Sequence, residues 1–330
     1  MKMRIMKKTA AIAFVCAFCF LITSCSMEKG GYKYSSAIGN WQSTKRYIVT
    51  DLTENYILHD KQTGEKFSLV RDPFAESSVS YVSVCGENAY YIENYGDEGS
   101  WRINEIDLES FSTTTIYERD KSESAFLGLS YKQTDLNSFL YDIVSRCMVT
   151  DDCLFLELGL KGLLRVDRVT GQEKMVLRDI SSNGFCSDGE KIYYITDEMR
   201  PKSYSIHTEE EKILTDNILV QKVCLMSEGL LVLQEYGGGL FLLNTSDESE
   251  PHSLNVSAEH FTADSENIFF TNADSIYRVT PDESPVLLCE GDFVEIDAMN
   301  DDEYLYFLRR ENNNYVKGII NKYSGKLVSL

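Results

Sequence analysis

Cys147, Cys186 and Cys224 each stand seven residues before an apolar strand residue, respectively Leu154, Tyr193 and Leu231, and Thr262 stands seven before Phe269. Thiolates from successive units of a repeat, converging on one point, would make a soft-metal site. The threonine in the fourth unit argues instead for a small side chain where strands crowd together, a role cysteine also fills. Equivalent positions in neighbouring units also lie too far apart for a disulfide. These three are therefore expected as unbridged, buried thiols, and no metal is assigned. Cys85, Cys153 and Cys289 add no CxxC pair and none of the close clustering of a stapled domain.

The other chemistry-bearing residues are dispersed. His59, His207, His252 and His260 are the only histidines, and His59 and His207 read as the same place in two hairpins. HExxH, GxSxG, Walker and GxGxxG patterns are absent, so no catalytic residue is assigned. Among 52 Asp and Glu residues a carboxylate pair suited to glycoside cleavage remains open. Most of these carboxylates, however, fall in turns, where aspartate caps its own backbone. Asn300-Asp301-Asp302-Glu303 is acidic enough for calcium but lacks the alternating ligands and the glycine of a calcium loop. Tyr236-Gly237-Gly238-Gly239 would let a backbone approach a ligand closely, and it reads more simply as a hairpin turn. No ligand-binding residue and no cofactor is assigned.

The elements that position these residues repeat. Openings of the form apolar stretch, acidic turn, aromatic or aliphatic strand start at Tyr81, Cys147, Gly184, Lys222, His260 and Asp297, the last five of them 37 or 38 residues apart. Each is followed by a strand–turn–strand hairpin, and seven such hairpins start at Tyr56, Arg102, Leu163, Ser203, Gly239, Ser275 and Val316. Trp41 to Leu52 supplies a degenerate seventh opening. Four short β-branched or aromatic strands per repeat predict one antiparallel sheet each. Stacking such sheets radially covers both faces of each, which is the β-propeller arrangement. The expectation is an all-β propeller over 41–330 with seven blades, six or eight being compatible. An insertion at about 120–146 interrupts it, where Thr134 or Asp135 would cap a helix bearing Leu136, Phe139, Leu140, Ile143 and Val144, or where an eroded eighth blade would lie.

Ser187-Asp188-Gly189 with Tyr193-Tyr194, Asp167 with Thr170-Gly171, and Asp60 with Thr63-Gly64 resemble the repeats of TolB-like and prolyl-oligopeptidase-type propellers found in bacterial envelope lipoproteins. The resemblance covers roughly 41–330, implies architecture, and carries no site residue. No Trp-Asp pair is present, and no kelch double glycine stands at the expected place in the repeat.

Residues 1–24 form a leader: basic MKMRIMKK, then an apolar run from Thr9 to Ile22 that is too short to span a bilayer permanently. Ile22-Thr23-Ser24-Cys25 resembles the lipobox of bacterial lipoproteins. That resemblance implies cleavage before Cys25, a diacylglyceryl thioether on its sulfur, and anchorage by palmitate-type chains worth about 0.8 kcal/mol per buried methylene. Residues 25–40 are small and polar, as a tether would be.

The net charge of −20 contains the leader's Lys2, Arg4, Lys7 and Lys8, so the body is more acidic still. Such a surface disfavours nucleic acid and purely electrostatic membrane binding. The sequence therefore leads to a monomeric, lipid-anchored, extracytoplasmic binding or scaffold module of the cell envelope, with an envelope protein, glycan or peptide as ligand. The alternative is an extracellular glycan- or peptide-acting hydrolase or lyase with carboxylates at the channel mouth. An accessory role in an envelope assembly or transporter is a third reading.

Overall fold

The run Ile192-Tyr193-Tyr194-Ile195 has no polar residue at alternate positions, so a sheet built on it must be covered on both faces. The computed structural model describes the chain from 42 to 328, leaving out 45, 53–54, 70–77, 96–99, 120–143, 151, 159–161, 179, 182–184, 228, 248, 299–300 and 313. The leader, Cys25, the tether and the helical expectation over 134–143 lie outside the described residues.

Among the described residues twenty-eight strands form seven four-stranded antiparallel sheets. Blade 1 holds β1 (Gln42–Ser43), β2 (Tyr47–Leu52), β3 (Asn55–Asp60) and β4 (Lys66–Leu69). Blade 2 holds β5 (Ser78–Cys85), β6 (Asn88–Tyr95), β7 (Ser100–Asp107) and β8 (Thr113–Arg119). Blade 3 holds β9 (Val144–Val149), β10 (Cys153–Leu158), β11 (Gly162–Asp167) and β12 (Glu173–Leu177). Blade 4 holds β13 (Phe185–Ser187), β14 (Lys191–Ile195), β15 (Pro201–Ser205) and β16 (Glu211–Ile213). Blade 5 holds β17 (Val220–Ser227), β18 (Leu230–Glu235), β19 (Gly239–Asn244) and β20 (His252–Ser257). Blade 6 holds β21 (Phe261–Ala263), β22 (Ile268–Thr271), β23 (Ser275–Val279) and β24 (Val286–Glu290). Blade 7 holds β25 (Phe293–Asp297), β26 (Tyr304–Glu311), β27 (Asn314–Asn321) and β28 (Leu327–Val328). The chain is thus a seven-bladed β-propeller, with no helix among the described residues.

The seven expected hairpins are the third and fourth strands of the blades, and the degenerate opening becomes β1 and β2. One boundary moves: Val144, placed on a helical face of the insertion by its spacing, opens β9 instead, so 144–146 belong to blade 3. Val144 pairs with Leu158 across an irregularity in the ladder that skips Ser145.

First strands of successive blades touch (β5 with β9, β13 with β17, β17 with β21, β21 with β25), so they line the ring axis. Second strands show why alternation is absent. Ile192 and Tyr194 pack toward blade 3 with Phe155 and Leu163, whereas Tyr193 and Ile195 pack toward blade 5 with Leu231 and Leu233. The same division holds in β22, where Ile268 and Phe270 face blade 5 and Phe269 faces blade 7. Each fully buried side chain of this size contributes roughly 2 kcal/mol. Among the described residues seven such clusters lie between the seven blades, and one that includes Ile48, Tyr306, Leu308 and Ile319 joins blade 7 to blade 1.

Candidate functional site

Because the strands run alternately up and down, the first-to-second and third-to-fourth turns of every blade emerge on one face of the ring. Most of the aspartates that the sequence marks as turn residues gather there. Asp188, Asp264 and Asp301 follow a first strand, and each directs Oδ1 to two backbone N–H groups: Glu190 and Lys191 (2.9 and 2.7 Å), Glu266 and Asn267 (3.0 and 2.7 Å), Glu303 and Tyr304 (2.7 and 2.8 Å). Asp60, Asp107, Asp167 and Asn321 do the same in the third-to-fourth hairpins. The Thr-Gly of the hairpin pattern follows from this geometry, since Thr170 Oγ1 adds a third bond to Asp167 (2.9 Å) and Gly171 adopts φ 69°.

Sequence reading missed the residue after the hairpin Asp or Asn. Lys61 donates to Thr44 O in its own blade (2.8 Å) and to Asp301 Oδ2 in blade 7 (2.5 Å). Lys322 donates to the Asp301 carbonyl in its own blade and to Asp264 Oδ2 in blade 6 (3.0 Å). Arg168 donates to Thr150 O in its own blade (3.0 Å) and to Glu105 Oε2 in blade 2 (3.1 Å). One clip is therefore used three times, binding a blade's own inner turn and the preceding blade. Its signal was present as the dipeptides Asp60-Lys61, Asp167-Arg168 and Asn321-Lys322. Blade 5 carries a neutral version: Thr245, after Asn244, hydrogen-bonds the Tyr193 hydroxyl, which donates to Asp188 Oδ2 (2.6 Å).

Burial pushes the Asp301 and Asp264 carboxyls upward. No single partner outweighs it: in Asp301 the hydrogen bonds from Lys61 and Ser43, the Lys61 charge and the Glu303 N–H do so together, and in Asp264 the Lys322 charge, the N–H groups of Glu266 and Asn267 and the Lys322 hydrogen bond do, leaving both below the ordinary aspartate value. Asp301, in the acidic tract weighed for calcium, is thus committed to Lys61, and Asp264 to Lys322. Among the described residues no group of three or more His, Cys, Asp or Glu side chains is placed to hold a metal ion.

Cys147, Cys153, Cys186, Cys224 and Cys289 form no disulfide, and Cys224 is half-buried rather than buried. Their expected common register is corrected in one blade. Cys186 lies opposite Tyr193 and Thr262 opposite Phe269, but Cys147 lies opposite Leu156. Thr150 N–H to Cys153 O matches Asp188 N–H to Lys191 O, so Leu154 corresponds to Ile192 and the place of Cys186 is taken by Met148. A one-residue shift reverses the face, and Cys147 packs toward blade 2 while Cys186 packs toward blade 5. In β17 an irregularity between Leu225 and Ser227 inserts a residue, so the counterpart of Tyr193 is Val232 rather than Leu231, and Cys224, paired with Val232, keeps the place and face of Cys186. Burial drives the Cys147 thiol well above its usual range, so it stays protonated and inert.

The histidines do not converge either. His59 lies in β3 opposite Ile48, whereas His207 lies beyond the end of β15, in the hairpin turn. Lys61 and Ile206 make equivalent backbone bonds, to Arg46 O and Glu190 O, so His59 and His207 are not the equivalent positions their spacing suggested. Tyr236-Gly237 are the central residues of a β-turn closed by Gly238 N–H to Glu235 O (2.9 Å), and Gly239 opens β19. A Cβ on Gly238 would sit 2.9 Å from Ala258 O, so the close backbone approach is to the blade's own fourth strand. Tyr236 projects outward, 67 % exposed.

No family model matches the chain, and no curated protein sequence matches it. Solved structures do. One is the β-propeller domain of the Trilobed protease from Pyrococcus furiosus, described as having an open velcro topology, at 11% identity over 90% of this chain and 97% of that one, TM-score 0.58. Another is an oligogalacturonate lyase in complex with manganese, at 14% identity over 83% of each chain, TM-score 0.57. A third is PorZ, an essential bacterial surface component of the type-IX secretion system of Porphyromonas gingivalis, at 13% identity, TM-score 0.55. The match covers 84% of this chain but only 37% of that longer one. At these identities the likeness defines the fold, the β-propeller.

Proposed function

We propose that this chain is a lipid-anchored, extracytoplasmic propeller that acts as a non-enzymatic binding or scaffold module of the cell envelope. The observation that carries the reading is the commitment of the ring's aspartates: Asp60, Asp107, Asp167, Asp188, Asp264 and Asp301 all hold their own turns, and two of them also hold neighbouring blades. Side chains employed in this way build a rigid ring whose remaining loops present a surface. The lipobox-like Ile22-Thr23-Ser24-Cys25 supports the location and makes Cys25 the lipid-bearing residue. The fold shared with a bacterial surface component is compatible with it.

The test replaces the anchor and watches the partner. Cys25→Ser is expected to abolish incorporation of labelled palmitate and to leave the protein uncleaved or in the soluble fraction. In-cell crosslinking of the unaltered chain is expected to capture an envelope protein or glycan, with no turnover of glycans or peptides by the purified body from Ser26 onward. Unchanged processing and membrane fractionation of Cys25→Ser overturns the anchor, and substrate turnover overturns the non-enzymatic reading.

A further inference from the structure

The fourth strand of a blade is a sheet edge, with backbone N–H and C=O groups turned outward, and such edges are ordinarily guarded by charge or by irregular pairing. β8, β12 and β16 carry Glu118 and Arg119, Glu173 and Lys174, and Glu211 and Lys212. β20 has no Asp, Glu, Lys or Arg, but Asn255 takes φ 55° and its register breaks. β24 carries no charge from Val286 to Cys289. Its one irregularity, at Leu288, seats Leu288 and Cys289 on the cluster toward blade 7 and leaves Val286 and Leu287 47 % and 48 % exposed. Consecutive side chains of a strand point to opposite faces, so both faces of the edge are open at this end.

Negative charge stands at both ends of this apolar edge. Asp282 and Glu283 precede it and Glu290 closes it, all three exposed and without an ion pair among the described residues. Asp292 follows, with only a loose pair to Arg310 at 3.8 Å. Arg278, opposite Val286 in β23, is turned to the Tyr323 ring of blade 7 (5.7 Å). A second copy of the chain fits this edge poorly. With Val286 opposite Leu287 in antiparallel pairing, Glu283 of each copy is brought toward Glu290 of the other, and like charges facing across a ladder destabilise it. An extended segment with apolar residues between basic ones matches both the open edge and its charged ends.

We propose that β24 is a docking edge that takes up an extended segment of a partner protein, apolar at its centre and basic at its ends, as an added outer strand of blade 6. Main-chain hydrogen bonds to the edge supply the affinity, while Val286, Leu287 and the carboxylates of Asp282, Glu283 and Glu290 select the segment. This surface and partner class refine the binding-module reading above, on which they rest.

The test measures fluorescence anisotropy of a labelled synthetic peptide, alternating valine and threonine between pairs of lysines, against the purified full chain, with circular dichroism confirming the fold of each variant. The unaltered chain is expected to bind it, and Leu287→Lys to bind about tenfold more weakly or worse, since the edge then carries a repelling charge. Ile213→Lys, at an equally exposed apolar position (48 %) on the outer strand of blade 4, is the control and should leave binding unchanged. Methylating the peptide's backbone nitrogens, or replacing its lysines by glutamates, should each cost about tenfold or more. No binding, equal binding by Leu287→Lys, equal loss in Ile213→Lys, or indifference to either change in the peptide would each overturn the docking edge. In-cell crosslinking separates this result from the reading beneath it. An envelope partner captured equally by the unaltered chain and by Leu287→Lys overturns the edge and leaves the binding module standing, whereas substrate turnover unaffected by Leu287→Lys overturns the non-enzymatic reading alone.

Discussion

Gly64 and Gly325 close the same kind of hairpin turn with nearly the same backbone, φ 72° and 66°. Their surroundings differ: a Cβ on Gly64 meets nothing within 4 Å, while one on Gly325 would lie 2.0 Å from Leu288 O in blade 6. Gly64→Ala therefore carries the left-handed conformational penalty alone, about 1 kcal/mol. Gly325→Ala adds an overlap that only movement of the hairpin away from blade 6 relieves, raising the cost to about 3 kcal/mol. Urea unfolding midpoints of the two variants check this, and equal losses would mean the blade 6–blade 7 contact yields freely. The glycines were legible as turn residues in the sequence. The second constraint on Gly325 was not, since it comes from a backbone carbonyl in another repeat.

At the scale of the element, the hairpin works because one oxygen collects two or three donors. Asp167 accepts Val169 N–H, Thr170 N–H and Thr170 Oγ1 at 3.0, 2.7 and 2.9 Å, and Asn321 accepts Tyr323 N–H, Ser324 N–H and Ser324 Oγ at 3.2, 2.9 and 2.9 Å. An amide thus already does in blade 7 what a carboxylate does in blade 3. Asp167→Asn is expected to leave the thermal midpoint nearly unchanged and Asp167→Ala to lower it; an equal drop in both would show that charge rather than acceptor geometry holds the turn. Turn patterns of this kind made the seven blades readable, because each lies within a few residues of sequence. Strand register was harder to read. In Cys153-Leu154-Phe155-Leu156 every residue is apolar, so nothing local marks which one corresponds to Ile192 and which to Tyr193, and the seven-residue spacing puts Cys147 one residue out of register with Cys186. The extra residue in β17 is likewise silent in sequence until its ladder is seen.

At the scale of the whole molecule, the clips join residues that no local pattern connects: Lys61 to Asp301 across 240 positions and Lys322 to Asp264 across 58. Titration of the clip carboxylates and of two half-buried histidines gives the ring a pH dependence with two separable parts. His59 and His260 have folded values below the ordinary histidine value, chiefly through burial and secondarily through Lys66 and Lys222. Since the unfolded chain takes up protons on these imidazoles first, the stability tied to them is lost as pH falls between about 7 and 5. Asp301 and Asp264 are depressed in the folded ring, so their contribution is complete above the ordinary aspartate value and disappears only as pH falls below about 4. Urea midpoints measured from pH 7.5 to 2.5 should therefore show a shallow decline followed by a steep one. Asp301→Asn should start less stable, because Lys61 and Ser43 then face an amide, yet lose less in the acid step, because one depressed carboxyl is gone. His59→Asn should flatten the upper part alone. An acid step as steep in Asp301→Asn as in the unaltered chain would place the acid-labile groups elsewhere than at Asp301, among the turn carboxylates of the other blades.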